Sequence, residues 1–129
     1  MKAIVLLLSR VFISTIFVIS TITKILDPAG TIKYMKSYGM PYAGLFLIAA
    51  IFLEGAGGLS LLFGFRIRWG SLMLLIFLIP TTIIFHTDFS QRLQVIMFLK
   101  NLAIIGGLLT FLYAEPDPLS IDSRLSKKT

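Results

Sequence analysis

The stretch AGLFLIAAIFLEGAGGLSLLF, residues 43–63, is apolar almost throughout and contains a single ionisable residue, Glu54. At about 1.5 Å per residue, a helix of this length crosses the roughly 30 Å hydrocarbon core of a bilayer. Three similar apolar runs occupy residues 3–23, 69–85 and 93–113. Because lipid offers the backbone no hydrogen-bond partners, each run is predicted to be a transmembrane helix. The sequence therefore predicts an all-α integral membrane protein, a four-helix bundle that forms one domain over residues 1–129.

The composition agrees with a membrane protein and excludes several kinds of site. Apolar residues make up 57% of the chain and charged residues only 14%, whereas soluble domains average about 45–50% and 25%. The absence of cysteine excludes disulfides, iron–sulfur clusters and cysteine zinc sites. The net charge is +6, but the basic residues are spread through short loops. We therefore expect the lipid bilayer, and no nucleic acid, as a partner.

The segments outside the four runs have patterns of their own. Asp27 as a helix cap, Pro28 at a first helical position and Gly39 as a stop predict a short amphipathic helix between spans 1 and 2, lying in the membrane interface. Three tyrosines are expected to anchor it at headgroup level: Tyr34, Tyr38 and Tyr42. The polar tail, residues 114–129, is expected to lie outside the bilayer.

The distribution of basic residues predicts the orientation of the chain. Four crossings place both termini on one side of the membrane. That side carries six basic residues (Lys2, Arg66, Arg68, Arg124, Lys127 and Lys128) and the other side four (Lys24, Lys33, Lys36 and Arg92). The positive-inside rule then favours cytoplasmic termini.

Three ionisable residues, Arg10, Glu54 and Lys100, fall well inside the predicted spans. A charge in the bilayer core costs roughly 2.5–3.5 kcal/mol on insertion scales, so it normally has a partner or a role. Counted from the span ends, both cations lie roughly 5 Å in depth from the carboxylate. We therefore expect the three to converge on the bundle axis. The cluster is either a purely structural ion-pair lock or a polar pocket that binds a ligand, and the two cations facing one carboxylate favour the pocket.

Further polar residues are expected around the mouth of this pocket. His86 ends the third span on the same side as Lys24; it is either an interfacial hydrogen-bonding residue or a proton relay. Asn101, next to Lys100, either joins two helices or donates to a ligand. Glu54 and His86 are too few ligands for a metal, so none is expected. The candidate pocket therefore comprises Arg10, Lys24, Glu54, His86, Lys100 and Asn101.

The order and spacing of these residues resemble a known family. The motifs are Arg10, Lys24-Ile-Leu-Asp-Pro28, Glu54-Gly-Ala-Gly-Gly58, Gly64, Arg68, Phe85-His86, Phe98-Leu-Lys-Asn101, Gly106-Gly107 and Ser120-Ile-Asp122. Together they resemble the DoxX family of small bacterial membrane proteins over nearly the whole chain. Thr21 departs from the pattern, because the family usually has glycine there, which puts close packing of the first helix in question.

The resemblance implies a four-helix fold in the bacterial inner membrane and a link to respiratory redox chemistry. On this hypothesis the chain is an accessory subunit of a quinone-linked redox system, and a partner protein carries the redox centre. Arg10 would hold Glu54 ionised, Lys100 and Asn101 would donate to a quinone oxygen, and His86 would relay a proton. The alternatives are a non-enzymatic component that binds a lipid or stabilises a partner, and a small transporter. Catalytic residues and oligomeric state stay open.

Overall fold

The computed structural model describes residues 1–128, and within them the chain is helical, with no strand. Its helices are α1 (Lys2–Leu26), α2 (Pro28–Ser37), α3 (Ala43–Phe63), α4 (Ile67–Phe85), α5 (Arg92–Phe111) and α6 (Ile121–Ser126). Of these, α1, α3, α4 and α5 are long and apolar enough to cross a membrane. The all-α fold with four membrane-capable helices is therefore confirmed.

Helix ends follow the local sequence. The bounds of α3 coincide with its predicted run. Each of the other long helices differs from its own predicted run by up to three residues at an end. The predicted short helix is α2: Pro28 occupies its first turn, and the Asp27 carboxylate accepts a hydrogen bond from the Gly30 backbone N–H at 2.9 Å. Gly39 follows α2 with φ of 73°, a left-handed conformation that glycine adopts without strain.

Small residues set the order of the four long helices. Helix α1 packs along α3, α3 along α4, and α4 along α5. Gly58 faces Phe17 and Val18 of α1, while its neighbour Gly57 faces Gly70 and Leu74 of α4. A Cβ at Gly57 would lie 2.9 Å from the Gly70 carbonyl oxygen, so glycine is needed for this approach. These glycines therefore permit the close approach of α3 to its two neighbouring helices.

Most of the apolar surface faces outward. Fully buried apolar side chains, such as Leu61, Leu74 and Leu108, are few. Others on the spans are more than half exposed, for example Phe12 at 70% and Phe52 at 65%. Exposure of apolar side chains on this scale is costly in water and normal in lipid.

The tail is folded onto the bundle. Its Asp122 carboxylate accepts hydrogen bonds from the backbone N–H groups of Arg66, at 2.8 Å, and Ile67, at 3.2 Å, where α4 begins. The Asp122 N–H donates to the Gly64 carbonyl at 3.0 Å. The tail thus caps α4, a role that its polar composition did not indicate.

Candidate functional site

Lys24 and Glu54 form an ion pair between α1 and α3. Lys24 Nζ lies 2.8 Å from Glu54 Oε2 and donates a second hydrogen bond, of 2.5 Å, to Ser20 Oγ. The Glu54 side chain is 3% exposed and that of Lys24 16%. Lys24 Nζ also lies 5.6 Å from the centre of the Phe77 ring. The buried carboxylate therefore has its charge partner on the neighbouring helix.

A groove between α1, α4 and α5 collects most of the predicted site. It is a cavity of about 210 Å³, and its polar lining comprises Ser20, Lys24, Glu54, Thr81, His86, Lys100 and Asn101. Its apolar lining comprises Ile16, Phe17, Phe77, Leu78 and Ile104. The structure thus brings together five of the six predicted residues: Lys24, Glu54, His86, Lys100 and Asn101.

Helices α1 and α5 meet near the termini and both line the groove. Near the termini, Ile13 of α1 lies against Gly107 of α5, and Phe17 and Leu108 share one apolar cluster. Toward the opposite end, both helices contribute to the lining of the groove. The space between them adjoins a second cavity of about 410 Å³ beneath α2, which shares Ser20, Lys24, Phe77, Thr81 and His86 with the groove.

Helix α2 forms one wall of the second cavity. Its Tyr34 ring stacks on Phe85 at a centroid distance of 5.3 Å, and Tyr38 meets Phe85 edge-on at 5.0 Å. Burial, together with the hydrogen bond and charge of Tyr38, raises the pKa of Tyr34 to about 12. Tyr34 therefore lines the cavity as a neutral side chain.

His86 and Asn101 both have protein partners. His86 Nδ1 lies 3.0 Å from Gln94 Oε1 of α5. Within residues 1–128, the other ring nitrogen, Nε2, has no hydrogen-bond partner. Asn101 is buried, and its amide donates to Thr82 Oγ1 of α4 at 3.0 Å. Asn101 thus joins two helices, one of its two predicted roles, and it also lines the groove.

Lys100 does not pair with Glu54, so that part of the predicted cluster is wrong. Its side chain is exposed, and its amine donates a hydrogen bond to Met97 Sδ at 3.4 Å. Lys24, on the helix that packs tightly against α3, reaches Glu54 instead. Because α5 contacts α4 rather than α3, Lys100 lines the groove as a cation without a carboxylate partner within the described residues.

Arg10 is also separate from Glu54, and its predicted convergence with Glu54 is wrong. Arg10 is 1% exposed, and its Nε lies 2.9 Å from Asp117 Oδ2 in an ion pair whose angle falls outside hydrogen-bond geometry. Its Nη1 donates to the carbonyls of Leu61 and Leu62 at 3.1 and 3.3 Å. Arg10 therefore joins α1, the end of α3 and the tail.

The register of α1 against α3 explains this correction. Phe17 lies against Gly58, and Thr21 lies against Gly55. In an antiparallel pair, these contacts place Glu54 near residue 22 and Arg10 near residue 65. The sequence analysis estimated the depth of each residue from the end of its own span, and such an estimate does not include the offset of α1 against α3. Thr21, the departure from the family pattern, packs well because Gly55 provides the space opposite it.

Asp117 was missed by the sequence analysis. It is 3% exposed, and its Oδ1 also accepts the Leu119 N–H at 2.9 Å. Asp117 stands between Pro116 and Pro118 in a tail that seemed to lie in water. The available signal was the surplus of buried cations, since Arg10 needed a carboxylate and the family-like Ser120-Ile-Asp122 motif lay close by.

Four membrane-capable helices with a polar groove among them define a multi-pass integral membrane protein. The chain belongs to the DoxX family, whose sequence model matches residues 5–87. It is 38% identical to the inner membrane protein YqjF of Escherichia coli strain K12, over 95% of this chain and 92% of that protein. It is 28% identical to the inner membrane protein YphA of the same organism, over 95% and 91%. No solved structure gives a significant match. The protein is thus an integral inner-membrane protein.

Proposed function

We propose that the protein binds a quinone in the groove between α1, α4 and α5, as an accessory subunit of a quinone-linked redox system of the inner membrane. The supporting observation is the combination of polar groups at membrane depth with apolar walls in one groove. Binding sites for small molecules pair a mostly apolar lining with a few placed polar groups. A quinone has the matching chemistry, since its ring and tail are apolar and its two carbonyl oxygens accept hydrogen bonds.

The residues around the groove divide into a wall and two donors. Phe77 and Ile104 offer apolar surface for a ring. The Lys100 amine donates to one quinone oxygen, because it has no carboxylate partner within residues 1–128. His86 Nε2 serves the other oxygen, with Gln94 fixing the ring through Nδ1.

The Lys24–Glu54 pair forms the inner end of the groove. Its charges offset each other at 2.8 Å, so Lys100 is left as the net charge facing a ligand. Ser20 shares the Lys24 amine, and Thr81 lines both cavities. These groups form a polar edge along which His86 can exchange a proton with the membrane surface.

A bound quinone supplies a carrier of two electrons and two protons. The chain positions and protonates that carrier in this proposal, and a partner protein carries the electron-donating centre. Cysteine, the usual ligand of iron–sulfur clusters and the usual redox thiol, does not occur in the sequence.

A second candidate function is the binding of an anionic phospholipid in the same groove. The observation that favours it is the unpaired charge of Lys100 beside an open apolar groove. A lipid phosphate would neutralise this amine, and an acyl chain would lie along Ile16 and Phe17. In this case the protein is a lipid-binding component without redox chemistry.

The content of the purified protein tests both candidates. Full-length protein is purified in mild detergent from native membranes, extracted with organic solvent, and quinone and phospholipid are measured by mass spectrometry. Lys100→Met is compared with Lys36→Met, a control that removes an exposed lysine of α2 outside the groove. Loss of a charged hydrogen bond should lower quinone content about tenfold or more in Lys100→Met, with the melting temperature unchanged.

The outcomes separate the alternatives. Phospholipid retained in place of quinone, and lost in Lys100→Met, supports the second candidate and contradicts the first. Equal contents of both molecules in wild type and variant contradict both. If Lys100→Met melts early, titration of the refolded or stabilised variant with a water-soluble quinone gives the binding constant directly.

A further inference from the structure

A basic pocket at the end of the bundle that carries the termini is separate from the groove. It is a cavity of about 330 Å³ where the α3–α4 turn meets the tail, lined by Arg66, Ile67, Arg68, Trp69, Ala114, Pro116 and Asp122. Because α3 ends at Phe63 and α4 begins at Ile67, the pocket lies at the level where two spans leave the hydrocarbon core.

Within residues 1–128, the two arginines of this pocket have no carboxylate partner. The ion pairs within residues 1–128 are Arg10–Asp117 and Lys24–Glu54. The Arg66 guanidinium lies 5.6 Å from the centre of the Phe65 ring, and both arginine side chains are exposed. Glu115 lies between the lining residues Ala114 and Pro116 but forms an ion pair with neither arginine. Guanidinium groups free of carboxylates are the preferred protein ligands of phosphate.

Asp122 contributes a negative charge to the pocket, but its carboxylate is already engaged by backbone hydrogen bonds. Its two carboxylate oxygens accept the backbone N–H groups of Arg66 and Ile67. A carboxylate at a helix N-terminus is offset by the helix dipole and by these donors. The pocket therefore retains the positive charge of Arg66 and Arg68.

The aromatic rim indicates that the anion belongs to a lipid. Trp69 is 65% exposed and Phe65 42% exposed, next to the arginines. Tryptophan concentrates at the membrane–water interface, where its ring lies at headgroup level. A free phosphate would gain nothing from these exposed rings, whereas a phospholipid would place its glycerol and upper acyl chains against them.

We propose that the pocket of Arg66, Arg68 and Trp69 binds the phosphate of an anionic phospholipid in the leaflet on the side of the termini. The two guanidiniums hold the phosphate, and Pro116 and Ala114 of the tail close the outer wall. Because the tail lines the pocket, a bound headgroup also holds the tail against the α3–α4 turn. This site is independent of the proposed quinone groove.

Native mass spectrometry of the full-length protein in nanodiscs tests the proposal. The nanodiscs contain phosphatidylcholine alone or with phosphatidylglycerol as a minor component, and phosphatidylglycerol molecules retained per protein are counted. The test variant is Arg66→Asn/Arg68→Gln, since asparagine tolerates the left-handed conformation of residue 66, with φ of 51°. The matched control is Lys33→Gln/Lys36→Gln, which removes two cations from α2.

We expect wild type and control to retain phosphatidylglycerol and to melt higher in its presence. The arginine variant should retain it roughly thirtyfold less, at about 1 kcal/mol for each of the two basic residues near an anionic surface. Equal loss in the lysine control would indicate general charge attraction and overturn the site. An equal rise in melting temperature from inorganic phosphate alone, in phosphatidylcholine nanodiscs, would overturn the lipid assignment. If the double variant unfolds, Arg68→Gln, inside α4, gives the same comparison at one residue.

Discussion

At the scale of single residues, the buried charges of this protein are arranged as two separate pairs. Arg10 pairs with Asp117 near the termini, and Lys24 pairs with Glu54 nearer the opposite side. A buried charge without a partner is expensive, so each carboxylate takes the cation that the helix register brings to it. Lys100 has no carboxylate partner within residues 1–128, and its side chain is exposed, unlike those of Arg10 and Lys24. An exposed lysine can extend its amine toward the interface, which lowers its cost in the membrane.

The Lys24–Glu54 pair should be strongly coupled. Lys24→Met leaves Glu54 as a buried carboxylate without its cation, which should lower the free energy of unfolding by about 3 kcal/mol. Glu54→Gln should cost less, because Lys24 is more exposed and can turn its amine toward water. The double variant should recover much of the loss of Lys24→Met. Thermal unfolding of the purified proteins in one detergent measures all three.

The control for this cycle is Lys33→Met, which changes an exposed lysine of α2 in the same way. It should leave the melting temperature nearly unchanged. If the losses of the two single variants simply add in the double variant, Lys24 and Glu54 are not coupled. Non-additive losses for Glu54→Gln and Lys100→Met would instead support the pairing expected from the sequence.

The sequence predicted which residues carry charge into the membrane, but it did not predict how they pair. Composition alone identified Arg10, Glu54 and Lys100, because polar residues are rare in such spans. Pairing depends on the offset of α1 against α3, which rests on contacts such as Thr21 with Gly55. No count from the span ends contains this offset. Asp117 was overlooked because the polar tail was expected to lie outside the bilayer, although the surplus of buried cations called for another carboxylate.

At the scale of elements, Gly64 is the joint between α3, Arg10 and the tail. It caps α3 with φ of 69°. A Cβ at this position would collide with the Arg10 guanidinium and would lie 2.6 Å from Ser120 Cβ. The tail adds hydrogen bonds through Asp122. Its N–H donates to the Gly64 carbonyl, and its carboxylate accepts the Arg66 N–H where α4 begins. One turn thus determines where α4 starts and where the tail attaches.

Gly64→Ala should therefore destabilise the protein and loosen the tail. The alanine would be strained at positive φ and would also displace Arg10 or Ser120, so we expect a loss of about 2 kcal/mol or more. The matched control is Gly106→Ala, within α5, where a Cβ meets nothing within 4 Å. Alanine there should be neutral or slightly stabilising. Melting temperature and protease cleavage after Arg124 report stability and tail docking.

Equal melting temperatures for Gly64→Ala and Gly106→Ala would contradict the role of Gly64 as a joint. A lower melting temperature with an uncleaved tail would mean that the strain, and not the attachment of the tail, is what matters at this position.

Apolar length predicted the long helices well, because a span must satisfy its own backbone over the whole core. The start of α2 was predicted for an equally local reason, the Asp27-Pro28 cap. Helix α6 was not predicted. It has six residues and depends on tertiary support, since Ser120 Oγ and the α3–α4 turn hold its first turn. Short helices of this kind are not stable by themselves.

At the scale of the whole molecule, the four long helices do not close into a uniform ring. Packing runs from α1 to α3, α4 and α5, and Ile13 of α1 meets Gly107 of α5 near the termini. The molecule is thus sealed on the side of the termini by Arg10 and the tail. On the other side it opens into the groove and the cavity beneath α2.

The orientation of this asymmetric bundle can be tested, since the chain contains no cysteine. We propose that the termini face the cytoplasm, because six basic residues lie on their side and four on the other. Single cysteines are introduced at Lys36 on α2 and at Lys128 in the tail, both exposed. In intact cells with a permeabilised outer membrane, a membrane-impermeant maleimide should label the cysteine at position 36. The cysteine at position 128 should react only after the inner membrane is opened.

The two positions also separate the orientation from the number of crossings. Labelling at 128 and protection at 36 would reverse the orientation and would place the groove on the cytoplasmic side. Labelling of both from one side would contradict four crossings altogether. With cytoplasmic termini, the groove beside Lys24 and His86 opens toward the periplasm, and the basic pocket of Arg66 and Arg68 meets the cytoplasmic leaflet. The proposed proton exchange at His86 would then involve the periplasm, which fixes the side on which a redox partner must dock.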